Sequence, residues 1–298
     1  MSNQPLEQPM TSKKRLDQYV IEQKPLISRA YGAKLIDQGR VLVNGQPSRP
    51  GYKLHATDMV TIDYNEDEIG KVDDIDLPVI YEDNDCLVID KPAGILTHAL
   101  GKHGNEASVA SFLRVKLSKD SPWNGVKDST IGDRAGIVHR LDRATSGVII
   151  GAKNQEALSW LQKQFADRRV KKTYVAVVEG QLKQDEAVID MPIERNPKAP
   201  ATFRVGPNGK PAVTHYTVLK QNGRYSLLEL RPETGRTHQL RVHLQKIGHP
   251  IIGDPLYGDG TFGDRLFLHA QSLEITLPNR ERTIFSAPLP PEFEEKVP

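Results

Sequence analysis

Residues 136–147, GIVHRLDRATSG, hold one carboxylate, Asp142, between two guanidinium groups, Arg140 and Arg143, with His139 just before it and Ser146 just after. An ionised carboxylate can act as a nucleophile or as a base, and a nearby cation keeps it charged where water is excluded. Other assignments compete for the same residues. Taken alone, Asp beside Arg is usually a surface ion pair or a turn-capping residue. A Ser-His-Asp hydrolase would use His139, Asp142 and Ser146, but there is no GxSxG elbow, and triad members are normally gathered by the fold from distant positions. A metal centre could draw on His238, His243 and His249. The first two lie five residues apart, however, so on a helix they point roughly 140° from one another and cannot share an ion. Neither GxGxxG nor a GxxxxGKS or GxxxxGKT loop is present, and no nucleotide cofactor is indicated.

The chain that must position these groups has 298 residues. Single cores stop growing at roughly 250 to 300 residues, so one large domain and one small domain are expected. Lys and Arg number 40 against 38 Asp and Glu, so a nucleic-acid partner would have to be held by local patches rather than by overall charge. Cys86 is the sole cysteine, which excludes an intrachain disulfide and a Cys-cluster metal site and fits a reducing cytosol. No apolar run approaches the ~18 residues of a membrane span. The expectation is a soluble, cytoplasmic, monomeric protein with no membrane partner.

Residues 1–12 carry little to bury and read as a disordered tail. In residues 13–63, Leu16, Tyr19 and Val20 have helical spacing, and a second helix runs from an N-cap at Ser28 to Leu35-Ile36 before Gly39 stops it. Val41-Leu42-Val43 runs as a strand into an Asn44-Gly45 turn, and Met59 to Ile62 supplies another strand. Residues 64–77 include Glu66, Asp67, Glu68, Asp73, Asp74 and Asp76. They read as an acidic linker that would repel a phosphate backbone.

Residues 78–298 form the larger domain. VIYEDNDCLVID reads as two strands around an Asp-Asn-Asp turn, and SGVIIGAK as a buried strand that the Thr145-Ser146-Gly147 turn launches. Asn154 caps a helix through Phe165; KKTYVAVVEG alternates like a strand; YSLLELRP is another. In GRTHQLRVHLQKIGHP, Thr237 is the expected cap of a helix with Leu240, Leu244 and Ile247 on its buried stripe. Strands outnumber helices and follow one another through short turns, which predicts an α+β fold with a largely antiparallel sheet and a small N-terminal α/β domain.

Two resemblances sharpen this reading. The spacing of RLD, SR, LI, GRVLVNG, YK and D-x-V over about 50 residues resembles the alpha-L RNA-binding motif of a small-subunit ribosomal protein. The matching candidates for phosphate contact are Ser28, Arg29, Lys34, Arg40 and Lys53. Further on, DKPAG, HRLDRATSG, KKTYVAVVEG and RPETGRTHQLRVHLQKIGHPIIGDPLYG, in that order, resemble the RluA-type pseudouridine synthases over nearly all of residues 78–290. That resemblance implies a mixed, mostly antiparallel sheet around a central basic cleft, with Asp142 as the catalytic aspartate, Tyr174 against the target base, Arg241 as the ion-pair partner of Asp142, Leu240 as an apolar wall, and Arg140 as an RNA contact that helps open the site. His139 falls among the substrate-binding candidates, as a loop-positioning or RNA-contacting residue. There are departures: MPIERNPKAPATFRV follows the family's more basic loop only loosely, and Ala144 stands where a polar residue is frequent.

The implied reaction breaks the bond from the base nitrogen to ribose and rejoins the base through carbon 5, with no net redox change, so no cofactor or metal is required. Hydrolysis of a glycosidic bond would normally need a second carboxylate, for which these motifs offer no candidate. The implied partner is structured RNA, with large-subunit ribosomal RNA first and transfer RNA second. The alternative function is a noncatalytic RNA-binding or assembly protein, which a missing Asp, Tyr or Arg would favour.

Overall fold

A computed structural model describes residues 14–23, 29–64, 75–98, 106–120, 136–258 and 265–298. The expected tail, the Ser28 cap and residues 65–74 of the expected linker lie outside them. The described residues fall into two compact units: those up to 64 together with His98 and 106–107, and those of 75–97 and from 108 onward.

The first unit contains α1 (Leu16–Gln23), α2 (Arg29–Asp37), β1 (Val41–Val43), β2 (Gln46–Pro47) and β3 (Val60–Ile62). Leu16 and Val20, four apart on α1, are fully buried against Leu35, Ile36, Val41, Val43 and Leu54. Asn44 and Gly45 both take positive φ, 51° and 76°, the two-residue turn whose twist suits a hairpin, and they join β1 to β2 in antiparallel register. The Asn44 side chain also bonds Asp58 and the Met59 amide, tying this turn to the approach of β3.

The second unit runs β4 (Val79–Glu82), β5 (Cys86–Lys91), α3 (Val109–Asp120), β6 (Ser146–Ala152), α4 (Gln155–Ala166), β7 (Lys171–Glu179), β8 (Glu186–Asp190), β9 (Ile193–Arg195), β10 (Phe203–Val205), β11 (Val213–Gln221), β12 (Tyr225–Pro232), α5 (Gln239–Lys246), β13 (Leu268–Thr276), β14 (Arg282–Ser286) and α6 (Glu292–Lys296). One sheet has the order β4-β5-β6-β13-β7-β12-β11-β8, with β14 also on β13, while β9 and β10 form a separate ribbon. Among the described residues the one parallel pairing between strands of this sheet is β6 with β13. This is the mixed, mostly antiparallel sheet expected.

Every residue of β6 is buried because both faces of the sheet are covered. Val148 and Ile150 pack with Ala157, Leu158 and Leu161 of α4, whereas Ile149 packs with Val109 and Leu113 of α3. Asn154 caps α4 as expected, accepting from the Ala157 amide at 2.8 Å. KKTYVAVVEG forms β7 as expected, and Val175 to Val178 are all buried because β7 lies between β12 and β13 in the covered sheet.

One expectation is corrected. Thr237 does not cap α5; the N-cap is His238, in the left-handed region at φ 57°, with no side-chain cap bond. The chain entering the helix is held by Gln239, whose Oε1 accepts from the Thr234 hydroxyl and the Arg236 amide and whose own backbone amide donates to the Arg236 carbonyl. Gly248, at φ 90°, ends the helix as its sequence predicts.

Candidate functional site

Asp142 sits on the loop that enters β6, and that loop is held from several directions. The Lys91 ammonium, fully buried at the end of β5, donates to the carbonyls of Pro92, Ile95 and Arg143. The Gly94 amide donates to the Arg143 carbonyl at 2.8 Å, and Arg143 Nε returns a bond to the Gly94 carbonyl at 3.0 Å. Thr97 Oγ1 bonds both the carbonyl and the amide of Leu141. On the far side, His139 Nε2 accepts from the Ile150 amide while its ring stacks on Phe165 at 4.7 Å. The aspartate is therefore positioned by β5, β6 and α4 together.

Arg241, on α5, approaches from the opposite wall and is only 5 % exposed. Its Nη1 donates to Asp142 Oδ2 at 3.0 Å. Its Nε and Nη2 donate to the two oxygens of Asp254, each at 2.7 Å, a bidentate pairing that fixes the guanidinium plane. The guanidinium also lies over the Tyr257 ring, 5.0 Å from its centre. Burial works against the charge on Arg241, but Asp254 and then Asp142 outweigh it and raise its pKa. Asp254 in turn accepts the amides of Leu256 and Tyr257. Among the described residues Asp142 Oδ2 accepts from Arg241 and lies 3.8 Å from His238 Nε2, while Oδ1 accepts no hydrogen bond.

Arg140, Asp142, Tyr174, Leu240 and Arg241 line one cavity, which opens to solvent. Tyr174 comes from β7, paired with Leu230 on one side and Ala270 on the other. Burial, reinforced by the Asp142 charge, pushes the Tyr174 hydroxyl up, so it stays protonated at neutral pH. Arg140 is exposed at the rim. Lys172, two residues before Tyr174, lines the same cavity, and burial lowers its pKa, with Arg168 acting in the same direction. His139 is not in this group; it lines an adjoining cavity shared with Arg140, Phe165, Arg168 and Lys172. The arrangement brings a half-buried carboxylate, bonded through one oxygen to Arg241, into a cavity that Tyr174 also lines, together with four cations: Arg140, Lys172, Arg236 and Arg241.

Sequence reasoning missed Asp254, Tyr257, His238 and Lys172 as members of the site. Their signal was present in GDPLYG and KKTY, but Asp-Pro reads locally as a turn, and nothing local says which arginine the turn will face. The three histidines considered for a metal go separate ways: His243 bonds Thr214 and the Met191 carbonyl, and His249 the Glu179 carbonyl. Among the described residues no group of three or more His, Cys, Asp or Glu is placed to hold a metal ion. No helix among them is long and apolar enough to cross a membrane.

In the first unit, Lys34 and Lys53 are exposed, and Arg40 is paired with Asp63 at 3.3 Å. Arg29 opens α2.

Residues 85–246 match the family described as RNA pseudouridylate synthase, and residues 14–60 match the S4 domain. An uncharacterized RNA pseudouridine synthase of Bacillus subtilis, YlyB, is 37 % identical over 95 % of this chain and 93 % of its own length. The ribosomal large subunit pseudouridine synthase D of Nitrosomonas europaea is 37 % identical over 94 % of this chain and 82 % of its own. Among solved structures, human RNA pseudouridylate synthase domain containing 1 superposes with a TM-score of 0.59 at 28 % identity, covering 72 % of this chain and 83 % of that one.

Proposed function

Since this chain belongs to the RNA pseudouridylate synthase family and carries an N-terminal S4 domain, we propose that it isomerises specific uridines of structured large-subunit ribosomal RNA, with Asp142 as its reacting carboxylate. The observation that carries the assignment is the Asp142–Arg241–Asp254 array, in which a buried guanidinium locked by one carboxylate holds one oxygen of another at the cavity floor. The ribosomal target is supported by the S4 domain and by the name of the Nitrosomonas europaea relative.

The reaction moves atoms within one nucleotide: the N1–C1′ bond breaks, the C5–C1′ bond forms, the C5 proton leaves and N1 gains one. Asp142 opens the sequence through Oδ1, as nucleophile toward the nucleoside or as the base that takes a sugar proton. Arg241 keeps the carboxylate ionised and aimed. Tyr174 offers the face on which uracil stacks and a protonated hydroxyl toward it, and Leu240 closes the apolar side. The uridine must leave its stack first, at a cost of a few kcal/mol. Arg140, exposed at the rim, fills the vacated space and pairs with phosphate.

Mapping pseudouridines in total RNA with and without the gene tests the target. Sites lost from large-subunit ribosomal RNA are expected; losses confined to transfer RNA would replace that substrate. On a transcript bearing a lost site, Asp142→Ala should reduce product formation by several orders of magnitude. Full activity in Asp142→Ala would remove this residue from the mechanism.

A further inference from the structure

His238 has no part in the scheme above, yet its placement is unusual. It occupies a left-handed backbone conformation, uncommon for a residue with a Cβ, and it does not use its side chain to cap the helix it precedes. Instead the ring enters the cavity, held edge-on by Phe203 and Tyr257, each with ring centres 5.6 Å away.

The hydrogen bonds around the ring assign its proton. Tyr257 Oη accepts from the Phe203 amide at 2.8 Å and lies 2.8 Å from His238 Nδ1. Burial raises the Tyr257 pKa, so its hydroxyl keeps a proton, and Nδ1 is the acceptor the structure places against it. With Nδ1 accepting, the neutral ring carries its hydrogen on Nε2. Burial lowers the His238 pKa, Arg241 and Arg140 push the same way, and Asp142 and Asp254 oppose them, leaving the ring neutral near pH 7.

Nε2 stands 3.8 Å from Asp142 Oδ2, too far for a direct hydrogen bond. That gap lets one oxygen atom lie about 2.8 Å from both. An oxygen there must accept from Nε2–H and donate to a carboxylate at once, which a hydroxyl does and a carbonyl, ether or phosphodiester oxygen cannot. An internal uridine in an RNA strand has one hydroxyl, at the 2′ position.

We propose that His238 and Asp142 Oδ2 bridge the 2′-hydroxyl of the extruded uridine, so that His238 Nε2–H reads ribose at the reacting nucleotide. The proposal rests on the pseudouridine synthase reading, with Oδ1 free for the reaction. It makes His238 a substrate-contacting donor and not a proton-accepting base.

The test is a single-turnover cycle on a synthetic RNA containing a site the wild-type enzyme modifies, with uridine or 2′-deoxyuridine at the target. His238→Phe removes the donor, His238→Gln returns an N–H near the Nε2 position, and His238→Asn returns one near Nδ1. Thermal melts alongside identify any variant that fails to fold. On ribose, His238→Phe should slow the reaction roughly tenfold, the scale of one missing hydrogen bond, with His238→Gln recovering part of that and His238→Asn none. On deoxyribose the wild type should slow at least as much, and His238→Phe should add little further loss. Penalties that multiply, or a folded His238→Gln as slow as His238→Phe, would overturn the proposal. Absence of product from the wild type on every transcript would instead count against the reaction assignment itself.

Discussion

Arg241 uses different sides of one guanidinium for two carboxylates, and the two bonds have different consequences when broken. Arg241→Met should cripple turnover more than RNA affinity, because it removes the partner of Asp142 and leaves Asp254 buried without its cation. Asp254→Asn should destabilise the fold by about 3–5 kcal/mol, the usual cost of stranding half of a buried pair, and also lower the rate by letting the guanidinium swing. Chemical denaturation and single-turnover rates separate these effects; collapse of binding with turnover of bound RNA intact would make Arg241 a phosphate clamp instead. Asp142, Tyr174 and Arg241 were legible in the sequence because the family resemblance attaches a role to each. Asp254 and His238 were not, because their roles depend on which side chain they face after folding. The gathering of Asp142 with Arg241 spans 99 positions, and local pattern has no access to that distance.

Among the elements, the β6–β13 junction carries the most geometric constraint. Gly147 sits at φ 111°, and a Cβ there would come within 2.2 Å of the Ala270 carbonyl oxygen. This is the point where the strand leaving the Asp142 loop pairs in parallel with a segment more than a hundred residues on. Ser146 anchors the same junction by bonding His269 and Arg265. Gly147→Ala should therefore cost at least about 2 kcal/mol and depress activity further than stability alone explains, because the loop moves with the strand. Comparing denaturation midpoints with rates at a temperature where both proteins are folded checks this; a stable, fully active variant would show that the junction tolerates a shift. Strand positions and both ends of α4 were readable from alternation, the Asn154 cap and turn residues. The parallel pairing and the absence of a Thr237 cap were not, since both reflect tertiary demands: covering β6 on both faces, and turning His238 into the cavity.

Among the described residues the first unit has its own core, built on Leu16, Val20, Leu35, Ile36 and Val41, and further clusters pack around the large sheet. Near-neutral net charge means that RNA affinity must come from local cations, and the exposed Lys34 and Lys53 are proposed to be among them. Removing residues 1–64 should weaken RNA binding and flatten its salt dependence, by about 0.7–0.9 in log–log slope for each phosphate no longer neutralised, while the rate on saturating RNA is retained. Filter binding across a salt series together with single-turnover kinetics measures both; an unchanged slope would deny this unit a phosphate-binding role. The Asp254 clamp bears on timing. Because Asp254 locks the guanidinium that bonds Asp142, the chemistry proposed at that carboxylate asks no further movement of Arg241. The pace of catalysis then belongs to the RNA, set by how readily its helix releases the uridine, and a mispaired or loop-borne target should be processed faster than a well-stacked one by the same unmodified enzyme.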